Sequence, residues 1–199
     1  MTAAIGLRAQ KGGCVAVGLA IEHGQPRILI STLIQTHRPG DRLSFEPFAV
    51  AAGMARDEAA AAVAEGRARQ DRLAADGLQA LADRLAAAGC RPTVAALLIN
   101  RAGWITDLLD YSRAWTEHGP VAEGLAVREA LRFGVRETGT ALIEQDEKAL
   151  PAYAAAVLGL APAGIDARLK ALGETVGRPW RKEQKLACLA AWVALVRDR

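Results

Sequence analysis

The chain has 199 residues, 51% of them apolar, and a formal charge of +3. That is enough for one domain with a buried core, and too mild a charge for the dense basic stripe of a protein that tracks phosphates. The three cysteines, Cys14, Cys90 and Cys188, are too widely spaced for a disulfide framework or a zinc knuckle, and are expected to be buried reduced thiols. The start, Met1-Thr2-Ala3-Ala4-Ile5-Gly6, lacks the basic and long apolar segments of a signal peptide. No run reaches the roughly 18 apolar residues of a membrane helix, and the longest, Leu186 to Val196, is too short to span. A cytoplasmic location is therefore expected.

In chain order, Ala3 to Arg8 is a short apolar run that meets Lys11-Gly12-Gly13. Cys14 to Glu22 is nearly continuous apolar sequence, and His23-Gly24-Gln25-Pro26 separates it from Arg27 to Ile34. Runs punctuated by glycine in this way predict an antiparallel meander. A middle run apolar on both faces predicts layers above and below it. His37 to Gly53 reads as a loop. A helix follows from about Asp57 to Ala88, with acids at its positive end, Gly89 at its stop and Leu78, Leu81 and Leu85 as its stripe. Its Arg67, Arg69 and Arg72 read as a solvated face.

Thr93 to Ile99 predicts a fourth strand, and Asn100 to Gly119 a short helix with loops. Val121 to Thr138 predicts a helix, Thr140 to Glu144 a fifth strand, and Glu147 to Leu158 another helix. Ile165 to Leu172 and Arg181 to Arg197 complete the helices, the last with Leu186, Leu189, Val193 and Val196 at helical spacing. Trp180 is expected to staple this last helix to the body.

Three meander strands that then feed right-handed crossovers give the order of the ribonuclease H-like fold. The expectation is a single α/β domain over 1–199: a mixed five-stranded sheet in the order 3-2-1-4-5, flanked by helices, with 160–199 as a helical extension packed on it. Chain direction reverses between strands one and four, and ligands of open α/β sheets bind beyond the carboxyl ends of strands at such a point. The residues expected to line that cleft are Arg8, Asn100, Arg101 and Glu123, with Asp146 and Glu147 near. Arg8 closes a buried strand and needs an acid, for which Glu123 is the expected partner.

Nucleases of this fold use divalent metals held by clustered carboxylates, with an Asp in the first strand as keystone. Here that strand offers Ile5, Gly6, Leu7 and Arg8, so no metal site is expected. Lys11-Gly12-Gly13 lacks the spacing of a phosphate loop, and there is no nucleophile elbow. His23 and His37 read as exposed. His118, before Gly119-Pro120, reads as a structural residue more readily than a catalytic one.

The tail Gly177-Arg178-Pro179-Trp180-Arg181-Lys182-Glu183-Gln184-Lys185-Leu186-Ala187, together with Ala122-Glu123-Gly124 and Arg128-Glu129-Ala130-Leu131, resembles an uncharacterised bacterial family of small proteins with a ribonuclease H-like core. The resemblance starts at Ile5-Gly6-Leu7-Arg8-Ala9 and covers most of the chain. It implies the fold and no particular chemistry. It also implies polar residues that this chain lacks: a His and a Glu within Pro47 to Gly53, where Ala49 and Ala52 stand, and a His at Pro120. Two functions are left open. One is a non-catalytic binding module for a small anion, a nucleotide or a partner protein. The other is a hydrolase or nuclease acting on nucleic acid or a phosphoester. No cofactor is indicated, no membrane is implied, and a homo-oligomer is compatible with either.

Overall fold

Strands β1 (Thr2–Gln10), β2 (Gly13–Glu22) and β3 (Gln25–Gln35) form the predicted meander. Gly12 turns the first hairpin at φ 75° and Gly24 the second at φ 77°, a backbone region that favours glycine. This computed structural model describes residues 1–100 and 104–197. The later elements are α1 (Arg42–Phe45), α2 (Pro47–Ala51), α3 (Arg56–Ala87), β4 (Arg91–Ile99), α4 (Leu108–Ala114), α5 (His118–Glu137), β5 (Ala141–Asp146), α6 (Leu150–Leu158), α7 (Pro162–Val176) and α8 (Lys182–Arg197). The sheet runs β3-β2-β1-β4-β5, with β4 parallel to both β1 and β5. This is the mixed, ribonuclease H-like order expected from the sequence.

Alternation along the strands decides which helix each side chain meets. Ile5 and Leu7 of β1, with Ala95 and Leu97 of β4, pack on Leu78, Leu81 and Leu85 of α3 and on Val127, Leu131 and Val135 of α5. Ala4, Val17 and Leu98 face the other way, onto α8 and the apolar sides of α6 and α7. β2 is buried on both faces for nearly its whole length, as a continuous apolar run requires.

The approach of α8 to β1 is unusually close. A Cβ on Gly6 would lie 1.8 Å from the carbonyl oxygen of Ala187, so only glycine fits there. Trp180 links the start of α8 to the body of the domain through α7. Its indole lies against Gly173 of α7 and donates to the Leu169 carbonyl at 2.9 Å, which ties the entry of α8 to α7.

Residues 37–53 are not the uninterrupted loop expected. Asp41 caps α1 by accepting from the Ser44 amide, and Pro47 opens α2. Helices of four and five residues are too short to show a helical period in sequence. Cys14, Cys90 and Cys188 are buried and free, and burial pushes the Cys14 and Cys188 thiols up to about 12, away from reactivity. No single helix among the described residues is long and apolar enough to cross a membrane.

Candidate functional site at the end of the parallel strands

β1, β4 and β5 end together, and three groups of side chains converge there. The first surrounds Arg8. Its Nε and Nη2 donate to the two carboxylate oxygens of Glu147 at 3.1 and 3.0 Å, a bidentate pair. Its Nη1 lies 3.9 Å from Glu183, in the first turn of α8. The backbone holds this geometry, because the Glu147 amide donates to the Ile99 carbonyl at 2.8 Å and so fastens the end of β5 to the end of β4. Asp146 receives the Lys148 and Ala149 amides and opens the turn into α6.

The expected Arg8–Glu123 pair does not form, and strand parity explains why. Arg8 follows Ala4 and Gly6 onto the α8 face, whereas α5 covers the face of Ile5 and Leu7. Glu123 therefore lies across the sheet from Arg8. Its Oε1 accepts from the Phe48 and Ala49 amides at 2.9 and 3.0 Å, supplying α2 with the side-chain cap that Glu46 does not provide. Its Oε2 has no hydrogen-bond partner among the described residues, and the side chain is 4% exposed. Burial outweighs the two amides and raises its carboxyl to about 7.

The third group centres on Arg128. Its Nη1 donates to Asn100 Oδ1 at 2.6 Å, while its Nε is buried without a partner among the described residues. Among the described residues no carboxylate lies within ion-pair distance of it, and burial and the nearby Arg132 lower its pKa. Arg132 is different, for Glu129 and Glu144 hold it. Arg128 and Asn100 line two adjoining cavities of about 470 and 880 Å³. Arg67 and Arg132 border the smaller; Trp104, Tyr111 and Lys148 border the larger. Trp104 is 71% exposed and meets Tyr111 edge-on at 5.5 Å, and Tyr111 stacks on His118 at 4.0 Å. His118 also bonds the Tyr111 carbonyl, so its role is to support this aromatic set.

Of the four expected cleft residues, Asn100 joins Arg128, Arg8 joins Glu147 and Glu183, and Glu123 stands on the opposite face. Arg101 lies outside the described residues. The sequence reading passed over Arg128 and Glu183 as site residues. Arg128, Arg132 and Arg136 recur every four residues along one line of α5, and that spacing is the signal that could have exposed Arg128.

A divalent ion does not fit the Arg8 group. Two carboxylates converge there, but a guanidinium already fills the space between them and repels a second cation. Among the described residues, no set of three or more His, Cys, Asp or Glu side chains is placed to hold a metal.

No protein-family profile matches the chain, and no curated protein matches it. Solved structures do. RuvC from Thermus thermophilus superposes with a TM-score of 0.57 at 11% identity, over 99% of this chain and 95% of that one. T. thermophilus RuvC in complex with a Holliday junction substrate gives the same score and identity over 100% and 96%. The yeast mitochondrial Holliday junction resolvase Ydc2 overlaps less closely, at 0.47 and 13% identity. The chain thus shares the ribonuclease H-like fold of these structures.

Proposed function

We propose that this protein binds nucleic acid, branched DNA in particular, across the end of its parallel strands. The observation that carries this is Arg128, a half-buried guanidinium without a carboxylate partner among the described residues, beside Asn100 and the exposed Trp104. A phosphate would supply the charge that Arg128 lacks, and an open indole gives an unpaired base a stacking platform. The likeness to a resolvase seen on its junction substrate supports the same ligand class. Of the two functions left open by the sequence, it favours the one acting on nucleic acid over a site for a small anion. The compartment would be the cytoplasm, the chain one domain over 1–199, and the resembled bacterial family the family that shares this role.

Cleavage is a second function, favoured by the whole-length likeness to nucleases and by the convergence of Glu147 and Glu183. Against it stands Arg8, a cation in the strand where nucleases of this fold carry a metal-binding carboxylate. One experiment treats both. A labelled four-way DNA junction and a linear duplex of equal length are titrated with the protein, then incubated with magnesium or manganese. The expected result is a tighter complex with the junction and no cleavage, with binding weakened by Arg128→Gln. Equal and salt-insensitive binding of both DNAs, or none, would overturn nucleic-acid binding. Metal-dependent cutting by the unaltered chain would establish the second function. Arg8→Asp sharpens the assay, because it places a third carboxylate beside Glu147 and Glu183.

A further inference from the structure

The mild charge of the chain is unevenly placed. Between Lys170 and Lys185 five cations stand against two acids, an excess equal to the +3 of the whole chain, so the remaining residues balance. Folding gathers these cations. The second half of α7, the start of α8 and the turn between them wall a cavity of about 700 Å³, lined by Lys170, Arg178, Arg181 and Lys185, with Trp180 as its aromatic side. Lys182 opens α8 beside it. All five cations are exposed, and none has a carboxylate within ion-pair distance among the described residues. Of the two acids, Glu183 approaches Arg8, and Glu174 lines the cavity. Arg181, whose carbonyl accepts from the Lys185 amide, and Lys182 also stand at the positive end of α8. A cation there raises the energy of the helix and an anion lowers it. The patch therefore accumulates charge that the fold itself does not use.

We propose that this patch is a second nucleic-acid contact, gripping the phosphates of a duplex arm that reaches the protein at Arg128. This rests on the nucleic-acid function above and adds to it the path of the bound DNA. The patch is continuous with that site. Glu183, next to Lys182, approaches Arg8 at the end of β1, Glu147 joins Arg8 there, and Lys148 lines the larger cavity with Arg128. A polyanion can leave Arg128 and Lys148 and cross the strand ends to Arg181 and Lys182, while Arg8 offsets part of the charge of the two acids along the way. A single small anion matches less well, because the cations are exposed and spread over two helices and a turn, with no buried donor among them. A membrane surface would call for an apolar face beside the charge. Among the described residues, Leu33 is the one exposed large apolar side chain that lines an adjoining cavity. Repeated phosphates match a spread of separate cations, and such contacts fix position without reading bases.

The test compares two variants of the full chain with equal charge. One carries Lys170→Gln, Arg181→Gln and Lys185→Gln together. The other carries Arg27→Gln, Arg84→Gln and Arg91→Gln, at the start of β3, the end of α3 and the start of β4, away from the patch. All six positions are exposed, so both variants should fold, which thermal unfolding checks. Each is titrated onto the labelled four-way junction and the linear duplex over a series of salt concentrations. With about 0.9 counterions released per phosphate contact, the patch variant should show a salt dependence shallower by roughly 2 to 3 on both DNAs. Its affinity should fall on the order of a hundredfold at about 0.1 M salt. The other variant should stay within about threefold of the unaltered chain, because salt screens distant charges. Junction binding with an unchanged salt dependence in the patch variant refutes the patch alone. An equal loss in both variants also overturns it, by tracing binding to overall charge. Failure of the unaltered chain to bind either DNA refutes the nucleic-acid function, and the patch contact falls with it. Phosphatidylserine vesicles are titrated in parallel. Vesicle binding that is lost in the patch variant while DNA binding is kept would assign the surface to a membrane and overturn the proposal.

Discussion

Arg8 and Arg128 stand at the same end of one sheet and do opposite things. Arg8 is enclosed by Glu147 and Glu183, so its charge is answered inside the protein. Arg128 has a neutral amide for company and a buried nitrogen with nothing to donate to among the described residues. Glu123, on the other face, repeats the second pattern with the sign reversed, one oxygen answered and one without a partner among the described residues. An internally compensated charge contributes to the fold. An uncompensated one is retained against its desolvation cost, and a ligand is the simplest source of compensation.

Glu123 should give the largest effect. Its carboxyl is raised from 4.5 to about 7, so the folded state holds the proton more tightly than the unfolded chain does. The penalty is absent below the unfolded value, grows as pH rises through this window, and is complete above about 7. At about 1.4 kcal/mol per unit, wild type should lose on the order of 3 kcal/mol across that window through this group. Glu123→Gln should remove most of that slope in urea titrations made at several pH values. An unchanged slope would mean that Oε2 has a partner after all.

Arg8→Met comes next. It leaves Glu147 and Glu183 facing each other without a cation, and should cost about 2 kcal/mol, less than a fully buried pair because all three side chains keep some water. Adding Glu147→Gln should recover part of the loss. A cost near zero would remove the distinction between the enclosed and the open guanidinium. Arg128→Gln should do the reverse: junction affinity falls roughly tenfold and the salt dependence loses about one counterion, while stability holds or rises. A stability loss equal to that of Arg8→Met would show that Arg128 is structural too. The smallest change belongs to Arg56, whose pair with Asp110 is at the surface. Arg56→Ala should alter the unfolding free energy by less than about 0.5 kcal/mol.

The strand order was legible in sequence because it depends on local signals: glycine turns between short apolar runs, then crossovers of one hand. The need of Arg8 for an acid was legible for the same kind of reason, from a charge closing a buried strand. Its partner was not. Naming Glu147 and Glu183 requires knowing that α5 shares a face with α3 while α8 takes the other, and that allocation is set by packing across the whole sheet. Parity already separated Arg8 from Ile5 and Leu7, but parity is uninformative until helices are assigned to sides. α1 and α2 escaped notice because they are too short to show a period and because distant groups complete part of their backbone, Glu123 for α2 and Gln70, which donates to the Ser44 carbonyl, for α1.

Gly6 works as a depth gauge for this end of the molecule. Because nothing but hydrogen stands between its Cα and the Ala187 carbonyl, α8 seats at one height above β1. Glu183 lies one turn before Ala187 on that helix, and Arg8 lies two residues after Gly6 on that strand. The separation of guanidinium and carboxylate is therefore inherited from a backbone contact. Gly6→Ala would lift α8 and loosen the Arg8–Glu183 approach without touching either charge.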